Sequence, residues 1–209
     1  FSIIDQDKRY NEEKEINLIL KDTKIKNQKI FLKKDSKSFF RKLKNLTNYH
    51  DAPIATISYY IHSFLSEEMK KNNFKVSISG TGADELFTGY YDHYLLFFSD
   101  NFKSKNYSEN LNFWKRDIRP LIRNSKLQNH LHYIENKDDR KLIFEEQYNL
   151  KDYRKIKKLT KFSEVKFCNE LLRNRMFNEL FYETVPMVLK HDDMNSMKNS
   201  IENRSPYLD

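Results

Sequence analysis

A short glycine-rich segment carries the residue types best suited to chemistry in this chain. All three glycines of the sequence lie between positions 80 and 89, whereas average usage would spread roughly 15 through a chain of this length. Glycine is retained where the backbone turns tightly or approaches a ligand, so this segment is a candidate binding loop. It reads Ser79-Gly80-Thr81-Gly82-Ala83-Asp84-Glu85-Leu86-Phe87-Thr88-Gly89-Tyr90.

Two carboxylates after the loop, Asp84 and Glu85, indicate the class of ligand. Backbone N–H groups of residues 79–83 can face phosphate oxygens, because glycine has no Cβ to block the approach. Two adjacent carboxylates would repel a triphosphate unless a divalent cation lay between them, and Mg²⁺ accepts carboxylate and phosphate oxygens together. The alternative is a tight turn before a helix whose first-turn acids favour its dipole. The spacing matches neither the P-loop nor the dinucleotide-binding fingerprint.

The elements that must position this loop alternate between strand and helix. Strands are predicted at 1–4, 28–32 and 75–79, and helices at 11–21, 36–46 and 56–71. Such alternation is typical of βαβ units and a parallel sheet. The last strand leads into the glycine loop, and ligands of parallel sheets lie beyond the carboxyl ends of the strands. Residues 1–90 are therefore interpreted as an α/β part with a parallel sheet.

The second half, residues 91–209, is predicted to be mostly helical. From about residue 90 to 190 the apolar residues follow a helical period, and little strand pattern is present. Pro120 and Pro186 mark helix starts or turns. The single cysteine, Cys168, is placed in an apolar-patterned helix as a buried thiol. One cysteine excludes an internal disulfide framework and fits a reducing compartment.

The composition argues against nucleic-acid and membrane partners. The formal charge is +8, but acidic residues are interleaved with the basic ones, so the lysines are interpreted as a solvated coat produced by a compositional bias. No apolar run approaches the ~18 residues of a membrane span, and no signal peptide is visible. The sequence therefore predicts a soluble, cytoplasmic protein that binds neither nucleic acid nor membrane.

Four segments together resemble the glutamine-hydrolysing asparagine synthetases. The loop at 79–90 is similar to that family's Ser-Gly-x-Gly-Ala-Asp-Glu-Leu-Phe-x-Gly-Tyr motif. The segment from Leu189 to Asp209 resembles its Asp-Arg-x-Ser-Met…Ser-x-Glu-x-Arg-x-Pro-Phe-Leu-Asp segment. Asp51-Ala52-Pro53 is similar to a weaker Asp-x-Pro motif, and Phe1-Ser2-Ile3 resembles the strand that meets the adenine ring. The four lie in family order and cover nearly the whole chain.

The resemblance implies a fold, a reaction and partners. The fold is an ATP-pyrophosphatase-like (adenine nucleotide α-hydrolase-like) core, with residues 1–209 as an internal fragment of a synthetase domain. The aspartate side-chain carboxylate attacks the ATP α-phosphate, giving β-aspartyl-AMP and pyrophosphate, and ammonia then displaces AMP. ATP and Mg²⁺ are the implied cofactors. A glutaminase domain of the same full-length chain supplies the ammonia, and a homodimer is left open.

The same resemblance implies roles for individual residues. Ser79 and Gly80 contact the nucleotide, and Ile3 is a further candidate for adenine contact. Asp84 binds pyrophosphate–Mg²⁺, and Glu85 acts nearby on the metal or substrate side. Asp193 either lies near the aspartate pocket or caps a turn.

The end of the second motif has a structural and a functional interpretation. Glu202, Arg204 and Asp209 either touch substrate or hold the C-terminal helix against the sheet through an Arg–carboxylate fork, which we favour. His50 and His191 flank motifs and are interpreted as satisfied or surface side chains rather than catalysts.

Departures from the family pattern leave the substrate open. Thr81 stands where the family usually has an acidic or amide residue, Thr88 replaces a common glycine, and Met194 replaces the usual arginine. One alternative function is therefore amidation of another carboxylate, in a sugar or secondary-metabolite pathway. Another is a non-catalytic scaffold on the same fold.

The resemblance also predicts parts outside these residues. The family's Ser-Gly-Gly-x-Asp-Ser phosphate loop and then the glutaminase domain are expected upstream of Phe1, and an assisting lysine beyond Asp209. Cys168 cannot replace the glutaminase nucleophile, whose mechanism uses the chain's own α-amino group as base. The fragment alone is expected to be inactive.

Overall fold

The first strands and helix form the βαβ unit that the sequence predicts. The computed structural model describes residues 1–7, 11–32, 36–136 and 163–209. Strand β1 (Ser2–Ile4) pairs in parallel with β2 (Lys29–Phe31), in a register that places Ile3 opposite Ile30. Helix α1 (Glu13–Thr23) connects them and ends at Lys24, which adopts the left-handed conformation that terminates many helices.

A second parallel pair contains a strand that the sequence pattern did not predict. Strand β3 (Val76–Ile78) pairs with β4 (Glu202–Arg204), with Ser77 opposite Asn203. Residues 202–204 have no apolar alternation, so only the pairing partner identifies them as a strand. In the described part of the chain the strands form two separate two-stranded sheets. The fold is thus mixed α/β with small parallel sheets.

Three helices pack against one another in the first compact unit, which comprises residues 1–81 and 186–209. Helices α2 (Ser36–His50) and α3 (Ile57–Lys71) are confirmed close to their predicted ranges, and the C-terminal helix of the chain runs from Thr184 to Met197. The Asn195 side chain of this last helix donates a buried hydrogen bond of 2.9 Å to the Tyr59 carbonyl. That bond links the C-terminal helix to α3.

A buried aromatic stack joins the same three helices. The ring of His191 lies flat against Tyr59, with centroids 4.3 Å apart, and stacks on His50 at 5.3 Å. Both histidines are buried. Burial lowers the pKa of His50 and of His191, and the charge of the neighbouring histidine lowers that of His191 further. Asn195 and Asp192 oppose these shifts, and Lys198 and Lys190 reinforce them.

This stack predicts a loss of stability in acid. Because the folded-state pKa lies below the ordinary value of 6.5, the unfolded chain takes up protons first as the pH falls. The contribution of this stack to the stability of the fold is therefore complete above pH 6.5 and is lost progressively below it. The urea concentration at the midpoint of unfolding, measured from about pH 8 to about pH 5, should fall more steeply for the wild type than for His191→Phe. That variant keeps an aromatic ring at position 191 but removes its titratable group. Equal slopes would contradict the assignment.

The described residues between positions 82 and 185, which belong to the second compact unit, are mostly helical. In its described residues the α-helices are α4 (Ala83–Phe87), α5 (Tyr91–Asp100), α6 (Tyr107–Phe113), α7 (His132–Glu135) and α8 (Leu171–Phe181). The C-terminal helix Thr184–Met197 is numbered α9. The core of the second unit consists of Leu95, Leu96, Phe98, Trp114, Ile122 and Tyr133. Pro120 lies in a short 3₁₀ turn, Arg119–Leu121.

Helix α8 begins later than the sequence pattern predicts. The Asp100 carboxylate accepts hydrogen bonds of 2.9 Å from the backbone N–H groups of Leu171 and Leu172, which fixes the start of the helix there. Cys168 therefore lies in the irregular segment before α8, half-buried, and the helical placement predicted for it is wrong.

Acidic side chains surround Arg175, a residue of α8. Arg175 binds Glu179 at 2.7 Å and Glu183 at 2.6 Å, with Glu164 at 3.3 Å. Glu179, which is 2% exposed, also contacts His93 at 2.9 Å. Burial lowers the pKa of Arg175, but Glu179 and Glu183 outweigh it, so the net shift of this pKa is upward.

The compact units have different bounds from the predicted division at residue 90. One comprises residues 1–81 and 186–209, and the other comprises residues 82–185. The C-terminal segment belongs with the first unit because β4 pairs with β3. Among the described residues, no helix is both long and apolar enough to cross a bilayer.

Candidate active site

A cavity of about 590 Å³ opens at the carboxyl end of β3, within the first unit. Its size lies in the range of small-molecule sites. The N-terminus, β3, the loop that follows it and two helices contribute its wall. The lining residues include Phe1, His62, Ser79, Gly80, Thr81 and Asp192.

The glycine loop enters this cavity by continuing the strand for one residue. The Ser79 N–H donates to the Arg204 carbonyl at 2.9 Å and so extends the β3–β4 ladder. Gly80 then leaves the ladder, and a Cβ placed there would meet nothing within 4 Å. The space beside Gly80 is therefore open, and contact of its backbone with a nucleotide stays a prediction.

Hydroxyl groups of the loop and of the C-terminal segment form a chain of hydrogen bonds. Ser79 Oγ donates to Thr81 Oγ1 at 3.0 Å and lies 3.1 Å from Ser205 Oγ. Either hydroxyl can be the donor in the second contact. Thr81 Oγ1 in turn donates to Asp192 Oδ2 at 3.5 Å. The two family motifs thus meet through their polar side chains.

Asp192 and His62 complete this chain. Asp192 Oδ1 lies 3.0 Å from His62 Nδ1, and the two side chains are 13% and 41% exposed, respectively. Sequence reasoning missed both residues. The signal available in the sequence was a helical spacing of polar residues: Ser66 lies four residues after His62, and Ser196 lies four residues after Asp192. All four residues line the cavity.

Two candidates for substrate contact lie elsewhere. Asp193 is exposed within α9, so it does not cap a turn, and its neighbour Asp192 lines the cavity. Ile3 is half-buried in β1, and the N-terminal residue at the cavity is Phe1, whose ring packs edge-on against Phe74 at 5.3 Å. Their binding roles stay predictions.

The two acids of the loop motif belong to the second unit and differ in environment. Asp84 is exposed in the first turn of α4, and its carboxylate lies against Gly89, where a Cβ would collide with it. Glu85 is 3% exposed and accepts a hydrogen bond of 2.6 Å from the Tyr90 hydroxyl. Burial and this bond to Glu85 raise the pKa of Tyr90. Asp84 is thus the carboxylate that faces solvent.

The carboxylates of the loop motif fit a Mg²⁺ ion that is held partly by the substrate. In the described residues, no three His, Cys, Asp or Glu side chains come together as a metal cluster. Mg²⁺ is commonly bound through one or two carboxylates plus substrate phosphates and water. An exposed Asp84 provides one such carboxylate, whereas Glu85 is already engaged by Tyr90.

The Arg–carboxylate contact near the C-terminus is local. Arg204 Nε and a terminal nitrogen both lie 2.9 Å from Glu202 Oε1, and both side chains are exposed. The favoured interpretation expected an Arg–carboxylate pair that holds the C-terminal helix against the sheet. Both residues of this pair belong to β4, so the pair does not do so. Asp209 is exposed at the end of a 3₁₀ turn, Pro206–Leu208. A contact of these three residues with substrate stays a prediction.

Comparison with known proteins supports what this site indicates. A cavity at the end of a parallel strand, with a glycine loop in its wall, is typical of α/β proteins that bind ligands. The family model for asparagine synthase matches residues 1–209. The chain therefore belongs to the asparagine synthase family, whose members are ATP-dependent ligases of the amidotransferase type. No curated protein and no solved structure gives a significant match.

Proposed function

We propose that this chain forms the synthetase part of an enzyme that converts aspartate to asparagine through β-aspartyl-AMP. The observation that carries the proposal is the cavity at the end of β3, with the motif residues Ser79 and Gly80 in its wall. The family match over the whole chain supports it. The core is proposed to be ATP-pyrophosphatase-like, as residues 1–81 with 186–209 contain two parallel strand pairs.

In the first step the side-chain carboxylate of aspartate attacks the α-phosphorus of ATP. A bond from the carboxylate oxygen to phosphorus forms, and the bond to pyrophosphate breaks. Ser79 and the open backbone at Gly80 bind and orient the nucleotide. Asp84 would hold Mg²⁺, which neutralises charge on the departing pyrophosphate when it is bound. Glu85, which accepts a hydrogen bond from Tyr90, is retained as a candidate that acts on the metal or substrate side.

In the second step a nitrogen nucleophile attacks the activated carbonyl and AMP departs. The ammonia is proposed to come from a glutaminase domain in the full-length protein. Asp193 and the Glu202–Arg204 pair are retained as candidates for substrate contact, since all are exposed.

An acceptor other than aspartate is the second candidate function. Thr81, at a position where relatives usually carry an acidic or amide residue, lines the cavity itself. A substitution in the wall of a site changes which acceptor the site can hold. The adenylation chemistry would be unchanged.

Carboxylate-dependent exchange of labelled pyrophosphate into ATP tests the proposal with full-length protein. We expect exchange that requires both Mg²⁺ and aspartate. Exchange driven by a different carboxylate would establish the second candidate. Absence of exchange with every acceptor would refute adenylation and favour a scaffold.

A further inference from the structure

The pair formed by His62 and Asp192 has the geometry of a base and its orienting carboxylate. The Asp192 carboxylate, 3.0 Å from His62 Nδ1, favours the ring tautomer that carries its proton on Nδ1. The other ring nitrogen, Nε2, is then the proton acceptor. Both residues line the cavity that holds Ser79 and Gly80.

We propose that His62 is the general base that removes a proton from the nitrogen nucleophile, with Asp192 as its positioning residue. This inference rests on the proposed function. As nitrogen bonds to the acyl carbon, its proton passes to His62 Nε2, and the bond from that carbon to the AMP oxygen breaks. AMP leaves with the electron pair, and His62, 41% exposed, returns the proton to solvent.

Three features distinguish this pair from an ordinary surface contact. Asp192 is 13% exposed, so its carboxylate is largely enclosed by protein, unlike that of an open surface pair. Its second oxygen lies 3.5 Å from Thr81 Oγ1, so the carboxylate has a polar neighbour on each oxygen. The helices α3 and α9 supply the two partners, and the Asn195–Tyr59 bond holds these helices together.

Measuring the two half-reactions, adenylation and amide formation, separately distinguishes a general base from a residue with a structural role. A base for the nucleophile acts after the adenylate has formed, so it does not affect pyrophosphate exchange. In full-length His62→Gln supplied with ammonium chloride, we expect exchange close to that of the wild type and amide formation lowered about 100-fold. Asp192→Asn should behave in the same way, because an amide favours the wrong tautomer.

Hydroxylamine provides a further readout. At neutral pH hydroxylamine is mostly unprotonated, whereas ammonia is mostly protonated, so attack by hydroxylamine depends less on a general base. The deficit of His62→Gln should therefore shrink when hydroxamate formation replaces amide formation. Asp22→Asn, an exposed carboxylate on α1, is the matched control and should retain both half-reactions.

The outcomes are distinct. Absence of aspartate-dependent exchange in the wild type would refute the proposed function and this inference with it. Normal exchange in the wild type, with both half-reactions lowered equally in His62→Gln, would overturn the inference alone. Amide formation at the wild-type rate in His62→Gln would also overturn it. If His62→Gln does not fold, Asp192→Asn decides by the same criteria.

Discussion

Asp84→Asn is expected to reduce aspartate-dependent pyrophosphate release by at least about 100- to 1,000-fold while the protein stays folded. The carboxylate is exposed in the first turn of α4, so its loss removes little packing. An amide keeps the shape of the side chain but loses the negative charge that a hard cation requires. The expected defect is in catalysis, measured by pyrophosphate release and checked against the circular dichroism spectrum.

A second variant moves the same carboxylate without changing it. At Gly89 the backbone is not in the left-handed region, so Ala is sterically allowed there apart from its collision with Asp84. Gly89→Ala should therefore turn Asp84 away and reproduce much of the defect. Asp117→Asn, which breaks only an exposed pair with Arg116, is the control. Turnover like that of the wild type in Asp84→Asn would remove this residue from the metal site.

Arg175→Met is expected to lower the free energy of unfolding by about 3–5 kcal/mol. The guanidinium binds Glu179 and Glu183 directly, and burial raises the pKa of Glu183 while Arg175 opposes that rise. Removing the cation leaves two or more carboxylates crowded in a buried site, with Glu179 nearly inaccessible to water. Chemical denaturation of the wild type and the variant measures the loss.

Arg173→Met is the matched control on the same helix. Arg173 is exposed and its guanidinium carbon lies 5.8 Å from the Phe177 ring centroid, so its removal should change stability by less than about 0.5 kcal/mol. Equal losses in the two variants would show that the carboxylates around Arg175 find other partners. A loss confined to Arg175→Met would confirm the network.

Most elements of the first half could be predicted from local pattern alone. The strands at 2–4, 29–31 and 76–78 have β-branched or aromatic residues and are bounded by polar segments, and α2 and α3 have long helical periods. Strand β4 could not be found this way. Its residues, Glu202, Asn203 and Arg204, have weak strand propensity, and the hydrogen bonds to β3 that define it join positions more than a hundred residues apart.

The candidate site was predicted in part. The glycine loop could be located because glycine is otherwise absent from the chain, and the cavity lies beside Ser79 and Gly80. The choice between Asp192 and Asp193 was beyond the sequence. Adjacent residues of a helix point about 100° apart, and the rotation of α9 is set by the burial of His191 and Asn195.

The sequence by itself determined the family, the position of the loop and the chemical character of its acids, because these depend on residue type and short-range order. Only the tertiary structure decided which polar groups share the cavity. His62, Thr81 and Asp192 come from three distant segments, and the packing of α3 and α9 beside the β3–β4 pair brings them together. Burial also distinguishes Asp84 from Glu85, since adjacent residues of a helix point about 100° apart and can face different environments.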